Sequence, residues 1–408
     1  VTKPRPNPIL RAYAPDIAIL SLGLLLLFVP MLQVQVVLGA SGDFNSQRID
    51  AELIQSTGEP RTTRPNFIYL AGILTLGQVM PFEMAGVVFS MTFYALIGIT
   101  TYLLLRQALR VPLATWPERL GLIGLTLLLL IVAPVTLFAL PPDLALLDLY
   151  LGYIAPMIYH NPTMIPATFF GLLQFYLALR ALTAKPATWG LIGVTALVTV
   201  LSLLSKPNYT LSLLPVLVGL GGLRQFVLRQ RVDWRLIIGG FVLAALPVLA
   251  WQYLYTFDRP DELDSDIILK PLAFFEIYGL ANIHLIPKFI LSILFPLIVL
   301  LSYPRAVLRS AALWLAWGVF VVGAAQVYLL AQSGLRQGHG NFLWGAMLAL
   351  FVLFVASMGF LLGRYRGADA RRWRDPRVWL CVAAFGLHVA SGLLWYYVNI
   401  TAAPYPGT

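Results

Sequence analysis

Apolar runs of about 20 residues alternate with short polar breaks along the whole chain. Each run is long enough to cross ~30 Å of hydrocarbon as a helix. Only helices or closed barrels satisfy their backbone in lipid, and these runs lack the two-residue alternation of barrel strands. The pattern predicts an all-α polytopic protein, one transmembrane domain over 1–408. Reading the runs between breaks gives eleven spans, at about 16–38, 83–105, 120–140, 164–181, 188–205, 208–223, 236–256, 287–303, 311–331, 342–363 and 378–397. The stretch Pro65–Pro81 is apolar but short and closed by proline, so it reads as a helix in the membrane interface. The first run, Ile17–Leu38, is too long for a signal-peptide core and lacks a small-residue cleavage site, so it is expected to remain as a span.

Composition agrees with this class: 59% of residues are hydrophobic, 11% are charged, and the mean hydropathy is +0.80. Soluble domains carry about 25% charged residues. The net charge of +10 is spread over short loops and forms no basic stripe with interleaved aromatics, which argues against a nucleic-acid partner. With the N-terminus in the cytoplasm, 20 of the 28 cations fall in cytoplasmic loops, as the positive-inside rule requires. Eleven spans then put the C-terminal tail outside, and a bacterial plasma membrane is the expected location. The lone Cys381 lies in an apolar run and permits no intrachain disulfide.

This topology makes four outer loops informative: 41–82, with its interfacial helices, then 141–163, 257–286 and 332–341. Three of the four histidines (His160, His284 and His339) fall in them. The inner loops hold no Walker lysine motif and no GxGxxG, so chemistry is expected to face outward without a cytoplasmic nucleotide. No internal repeat is visible.

The first outer loop gathers Asp43, Arg48, Asp50, Glu52, Glu59, Arg61 and Arg64 within 22 residues. Asp43 follows Gly39-Ala-Ser-Gly, where glycines let the backbone turn sharply at the end of the first span. A carboxylate held there suits general-base work on an acceptor hydroxyl. If the leaving group is a lipid phosphate it is already a stable anion, so a cation can replace the second carboxyl that hydrolases use. A helix over 45–55 would put Gln47 and Asp50 on the face of Asp43, with Asp50 the reserve acid or metal ligand. In the second loop, Tyr159-His160-Asn161-Pro162-Thr163 combines polar groups with a turn that opens a helix. Lys206, in the tight Ser205-Lys206-Pro207 hairpin, is the candidate to hold an anionic lipid phosphate. The glycine-rich loop 332–341 offers Arg336, His339 and Asn341; arginine with glycines suits a phosphate better than a metal. Asp258, Asp261, Glu262, Asp264 and Asp266 read as a solvated acidic rim, and His388 on the last span as a hydrogen-bonded core residue. Each of these polar residues also has an ordinary reading, as a loop solubiliser or interface anchor.

A first span, an aspartate soon after it in a long outer loop, and many further spans resemble the GT-C superfamily of polyprenyl-phosphate-sugar-dependent glycosyltransferases. In several bacterial relatives that loop reads Asp-aromatic-x-x-His, a helix, a glycine turn, then Pro-His-aromatic. The corresponding residues are Asp43-Phe44-Asn45-Ser46-Gln47, the segment Ala51–Gln55, Gly58 and Pro65-Asn66-Phe67, with amides at both histidine positions. The local match covers about 27 residues. The resemblance implies that Asp43 is the catalytic base, that the donor is a polyprenyl-phosphate sugar, and that a glycan, lipid or protein hydroxyl accepts the sugar. The aromatic-His-Asn-Pro-Thr run is also common in outer loops of such proteins. No cofactor is required by this scheme, and a divalent cation (Mg or Mn) stays open as an aid. Two alternatives remain from the sequence: a non-catalytic subunit of a membrane complex, and a transporter or flippase for lipid-linked glycans.

Overall fold

A computed structural model describes residues 8–59, 65–109, 113–136, 152–183, 186–257, 266–277, 284–365 and 374–401. Helix α1 (Pro8–Leu32) runs on through a π-helical turn to Val37, and is followed by α2 (Gly42–Thr57), α3 (Ile68–Leu76) and α4 (Phe82–Leu109). Next come α5 (Trp116–Leu129), α6 (Met164–Thr183), α7 (Trp189–Ser205), and α8 (Asn208–Gly222) with its π turn to Val227. A second π segment, Leu236–Val242, leads into α9 (Leu243–Phe257). The remaining helices are α10 (Ala273–Ile277), α11 (Leu285–Ser292), α12 (Leu294–Ser302), α13 (Pro304–Val307), α14 (Ala311–Leu329), α15 (Leu343–Tyr365) and α16 (Pro376–Thr401). Eight of the described helices are long and apolar enough to cross a membrane, or nine if the bent pair α11–α12 counts as one span. The protein is an all-α polytopic membrane protein.

A helix coincides with each of the eleven expected spans, but three depart from the simple picture. The expected span 120–140 is helical only to Leu129. Residues 132–136 that follow are non-helical, where Pro134 has no amide hydrogen to continue a helix; positions 137–140 of the expected span lie outside the described residues. Non-helical backbone at membrane depth survives only where protein satisfies it. Here the Ala133 amide donates to the His388 carbonyl at 3.2 Å and the Val135 amide to the Leu291 carbonyl at 3.2 Å. The expected span 287–303 bends by 70° between α11 and α12. At that bend His388 Nε2 accepts from the Phe295 amide at 3.2 Å, while its Nδ1 donates to the Ala133 carbonyl at 2.7 Å. One buried histidine thus stitches both interruptions to α16, as its core reading anticipated. Finally, α7 has 17 residues, about 26 Å of helix, and is shorter than the eight helices of membrane-spanning length.

The expected interfacial helix is α3, whose nine residues reach only about 14 Å and cannot cross. It packs through buried Tyr69 and Ile73 against α2 and α4. A short antiparallel pair, β1 (Ile267–Leu269) with β2 (Leu330–Gln332), was not foreseen; it joins the 257–286 and 332–341 loops. Of the acidic rim, positions 258–265 lie outside the described residues.

The centre of the bundle is α15 and α6, the most buried of the long helices. Small residues set the close approaches, as is common between helices in lipid. Gly323 on α14 faces the backbone of Ala346 at 3.1 Å, and Gly345 faces the Asn208 carbonyl oxygen at 2.9 Å, distances measured from where a Cβ would stand. Gly392 on α16 lies closer still: a Cβ there would run into the Ile131 carbonyl oxygen. Gly392→Ala should therefore lower thermal stability in detergent by the upper end of an overpacking cost, about 3 kcal/mol. An unchanged melting curve would show that the non-helical segment does not lean on α16.

Candidate functional site

Two X-Pro steps build one end of the bundle. The residue before a proline is pushed out of the helical region. Lys206 obeys this at φ −167°, ψ 121°, so α7 stops at Ser205 and Pro207 opens α8. The corresponding step, Asn161-Pro162, precedes α6. The Asn161 side-chain Oδ1 accepts from the Met164 amide at 3.3 Å and the Thr163 hydroxyl at 2.8 Å, closing a turn at the helix start. Lys206 Nζ donates to Thr163 Oγ1 at 3.2 Å and to Asn161 Oδ1 at 3.4 Å. Two breaks some forty residues apart in sequence thus place an ammonium against an amide oxygen.

The third contributor is the start of α2. Its N-cap is Ser41 (φ −109°, ψ 119°), and Gly39 turns the chain into it at φ +68°. The Ser41 hydroxyl donates to the His160 carbonyl at 2.7 Å, which docks the helix onto the 152–163 stretch. Asp43 then falls in the first turn of α2, where a carboxylate is favoured by the helix dipole. It is exposed on one side, and its Oδ2 accepts from Asn161 Nδ2 at 2.8 Å. Because three donors occupy Oδ1, the orientation of the Asn161 amide is set by its hydrogen bonds. One amide therefore has a carboxylate at its nitrogen and an ammonium at its oxygen.

Trp344 forms the far wall. Lys206 Nζ stands 4.3 Å from the centroid of its ring, and the His160 ring meets it edge-on at 6.1 Å. Lys206 is 8% exposed, and its stem and head are packed among these groups. His160, outside the spans, is reached by solvent on one side and crowded by protein on the other. That crowding holds its pKa below the usual histidine value; Asp43 pulls it upward and Lys206 pushes it down.

Asp43, His160, Asn161 and Lys206 are thus brought together. Gln47 and Asp50 follow the same stripe of α2 but are buried, at 2% and 0% exposure. Asp50 lies about 10 Å from Asp43 along the helix axis, too far for both carboxylates to serve one reacting atom. Arg336 lines an adjoining depression with Phe274, Gln332, Asn341 and Phe342. That depression meets the Lys206 site through Asn208, whose Nδ2 donates to the Asn341 carbonyl at 2.6 Å. The side chain of His339 lies outside the described residues. Among the described residues, no three His, Cys, Asp or Glu side chains gather to hold a metal ion. A single carboxylate beside an ammonium is a donor set that fits an anion better than a divalent cation.

Sequence reasoning missed Trp344 and Ser41, and named Thr163 only as the end of the His160-Asn161-Pro162 run. Trp344 reads in sequence as part of an apolar span; only its place in the first turn of α15, where Gly345 permits contact with Asn208, puts it on Lys206. Ser41 carried a legible signal, a helix-capping residue before Asp43. No protein-family model matches the chain, and no curated protein matches it.

The charges around His160 make a signed prediction. In labelled protein followed by NMR, its pKa should lie below the ordinary value of about 6.5. Asp43→Asn should lower it further and Lys206→Met should raise it. Equal values in all three proteins would mean that the imidazole does not feel those charges.

Proposed function

We propose that the protein is a membrane glycosyltransferase that moves a sugar from a polyprenyl-phosphate donor to an acceptor hydroxyl at the outer membrane face. The observation that carries this reading is the Asn161 amide with Asp43 at one end and Lys206 at the other. Such a transfer needs a base on the acceptor side of the anomeric carbon and a cation on the phosphate side. Asp43 takes the acceptor proton as the new C–O bond forms. The bond from the anomeric carbon to the phosphate oxygen breaks, and its electron pair leaves with the phosphate. Lys206 neutralises that anion, and Arg336 stands in the adjoining depression to bind a further oxygen. Trp344 and the His160 ring offer flat surfaces to a sugar. Asp50, being buried, supports α2 and does not act as a second base. The resemblance of the first loop to GT-C enzymes adds to this reading, with the N-terminus cytoplasmic.

A specific feature favours a second reading, a transporter of lipid-linked glycans. The α11–α12 break, the non-helical segment 132–136 and the buried Lys288, 2% exposed on α11, form the kind of interrupted interior found at transport sites.

Purified protein in lipid, supplied with radiolabelled polyprenyl-phosphate sugars and a panel of acceptors, should transfer label. Asp43→Asn should lose about 10²–10⁴-fold in turnover while still binding donor. Lys206→Met should weaken both, and Asn161→Leu should reduce turnover while leaving donor binding closer to the parent's. Donor binding and transfer unaffected by Asp43→Asn would sink the assignment of the base. Movement of labelled lipid across vesicles without transfer would favour the transporter, and neither activity would point to a non-catalytic subunit.

A further inference from the structure

The end of the bundle opposite Asp43 carries a second chemistry that the transfer site does not use. Since α6 and α8 begin beside Asn161 and Lys206, their far ends, with residues 186–188 before α7 and 228–235 after α8, lie at the other end of the bundle. The stretch after α8 is tied to the end of α6. Arg224 Nε donates to the Leu182 carbonyl at 3.1 Å, and the Asp233 amide donates to the Ala181 carbonyl at 2.9 Å. The π turn at the end of α8 then projects Phe226, Val227 and Leu228, which are 77%, 68% and 51% exposed. Immediately after this apolar knuckle come Arg229, Arg231 and Arg235, all exposed. The Arg235 guanidinium lies 4.4 Å from the centroid of the Trp189 ring, itself 76% exposed.

The one acid in the turn does not offset these cations at the surface. Asp233 is 8% exposed, and its carboxylate points inward, accepting from the Leu236 amide at 3.2 Å and from the Ala187 amide. Among the described residues, no carboxylate stands within ion-pair distance of Arg229, Arg231 or Arg235. An ordinary basic loop would be solvated on all sides. This one sets three guanidinium groups, with no carboxylate partner among the described residues, near exposed apolar side chains and an exposed tryptophan, a combination suited to the boundary between headgroups and acyl chains. Guanidinium forks match phosphate oxygens bidentately.

We propose that this corner binds an anionic phospholipid, its headgroup phosphate on Arg229, Arg231 and Arg235 and its upper acyl chain against Phe226, Val227 and Trp189. The site fastens the α8–α9 turn to the leaflet opposite Asp43 and gives the protein a preference for anionic lipid there.

Parent protein exchanged into nanodiscs of phosphatidylcholine, with or without phosphatidylglycerol, should retain phosphatidylglycerol on release into native mass spectrometry. At about fivefold per arginine, the triple variant Arg229→Gln/Arg231→Gln/Arg235→Gln should lose on the order of 100-fold in apparent affinity. Retention by that variant equal to the parent's would overturn the site, as would a parent with no preference over phosphatidylcholine. Should the variant fail to fold, phosphatidylglycerol carrying a photoreactive headgroup decides with the parent alone: labels within 224–235 support the site, and labels confined to other loops overturn it.

Discussion

The candidate site depends on one amide that cannot turn. Asn161 Oδ1 is occupied by the Thr163 hydroxyl, the Met164 amide and the Lys206 ammonium, so its nitrogen is committed to Asp43. Flipping the group would place an N–H against three donors and a carbonyl oxygen against a carboxylate, in a spot where Asn161 is 7% exposed. Buried polar groups left unmatched cost more than the hydrogen bonds gain. The start of α2, the entry to α6 and the α7–α8 break are therefore held in one arrangement, and a base and a cation share it without forming a direct ion pair between them.

The bundle supports that arrangement through close helix approaches and through protein partners for interrupted backbone. Gly345 lets α15 begin against Asn208, which brings Trp344 over Lys206. Farther along, the non-helical segment after α5 and the bend before α12 would be intolerable facing lipid. His388 and the neighbouring backbone groups take up their hydrogen bonds instead. The two ends of the molecule then differ in kind. The Asp43 end joins opposite charges through one buried amide, while the far end presents arginines with no carboxylate partner among the described residues, beside exposed apolar side chains.

The all-helical membrane class was written in the hydrophobic pattern, because apolar runs of membrane length leave few other ways to satisfy a backbone in lipid. The X-Pro breaks at Asn161 and Lys206, and the cap before Asp43, were equally legible, since each is a local rule of backbone sterics or hydrogen bonding. The place where α5 ends and the kink at Ile293 were less so. Apolar residues continue through both, and although Pro134 marks a helix stop near the first, the close approach and hydrogen bonds that hold the two interruptions come from Gly392 and His388 on α16.

The sequence by itself determined the class of protein, the approximate spans and a set of polar residues worth suspecting. Tertiary structure decided which of them meet. It joined Asp43, His160, Asn161 and Lys206, added Trp344, buried Asp50 and set Arg336 in an adjoining depression. The physical reason is that local sterics and hydropathy act over a few residues, whereas convergence of side chains depends on which helices pack, and packing depends on contacts between residues far apart in the chain.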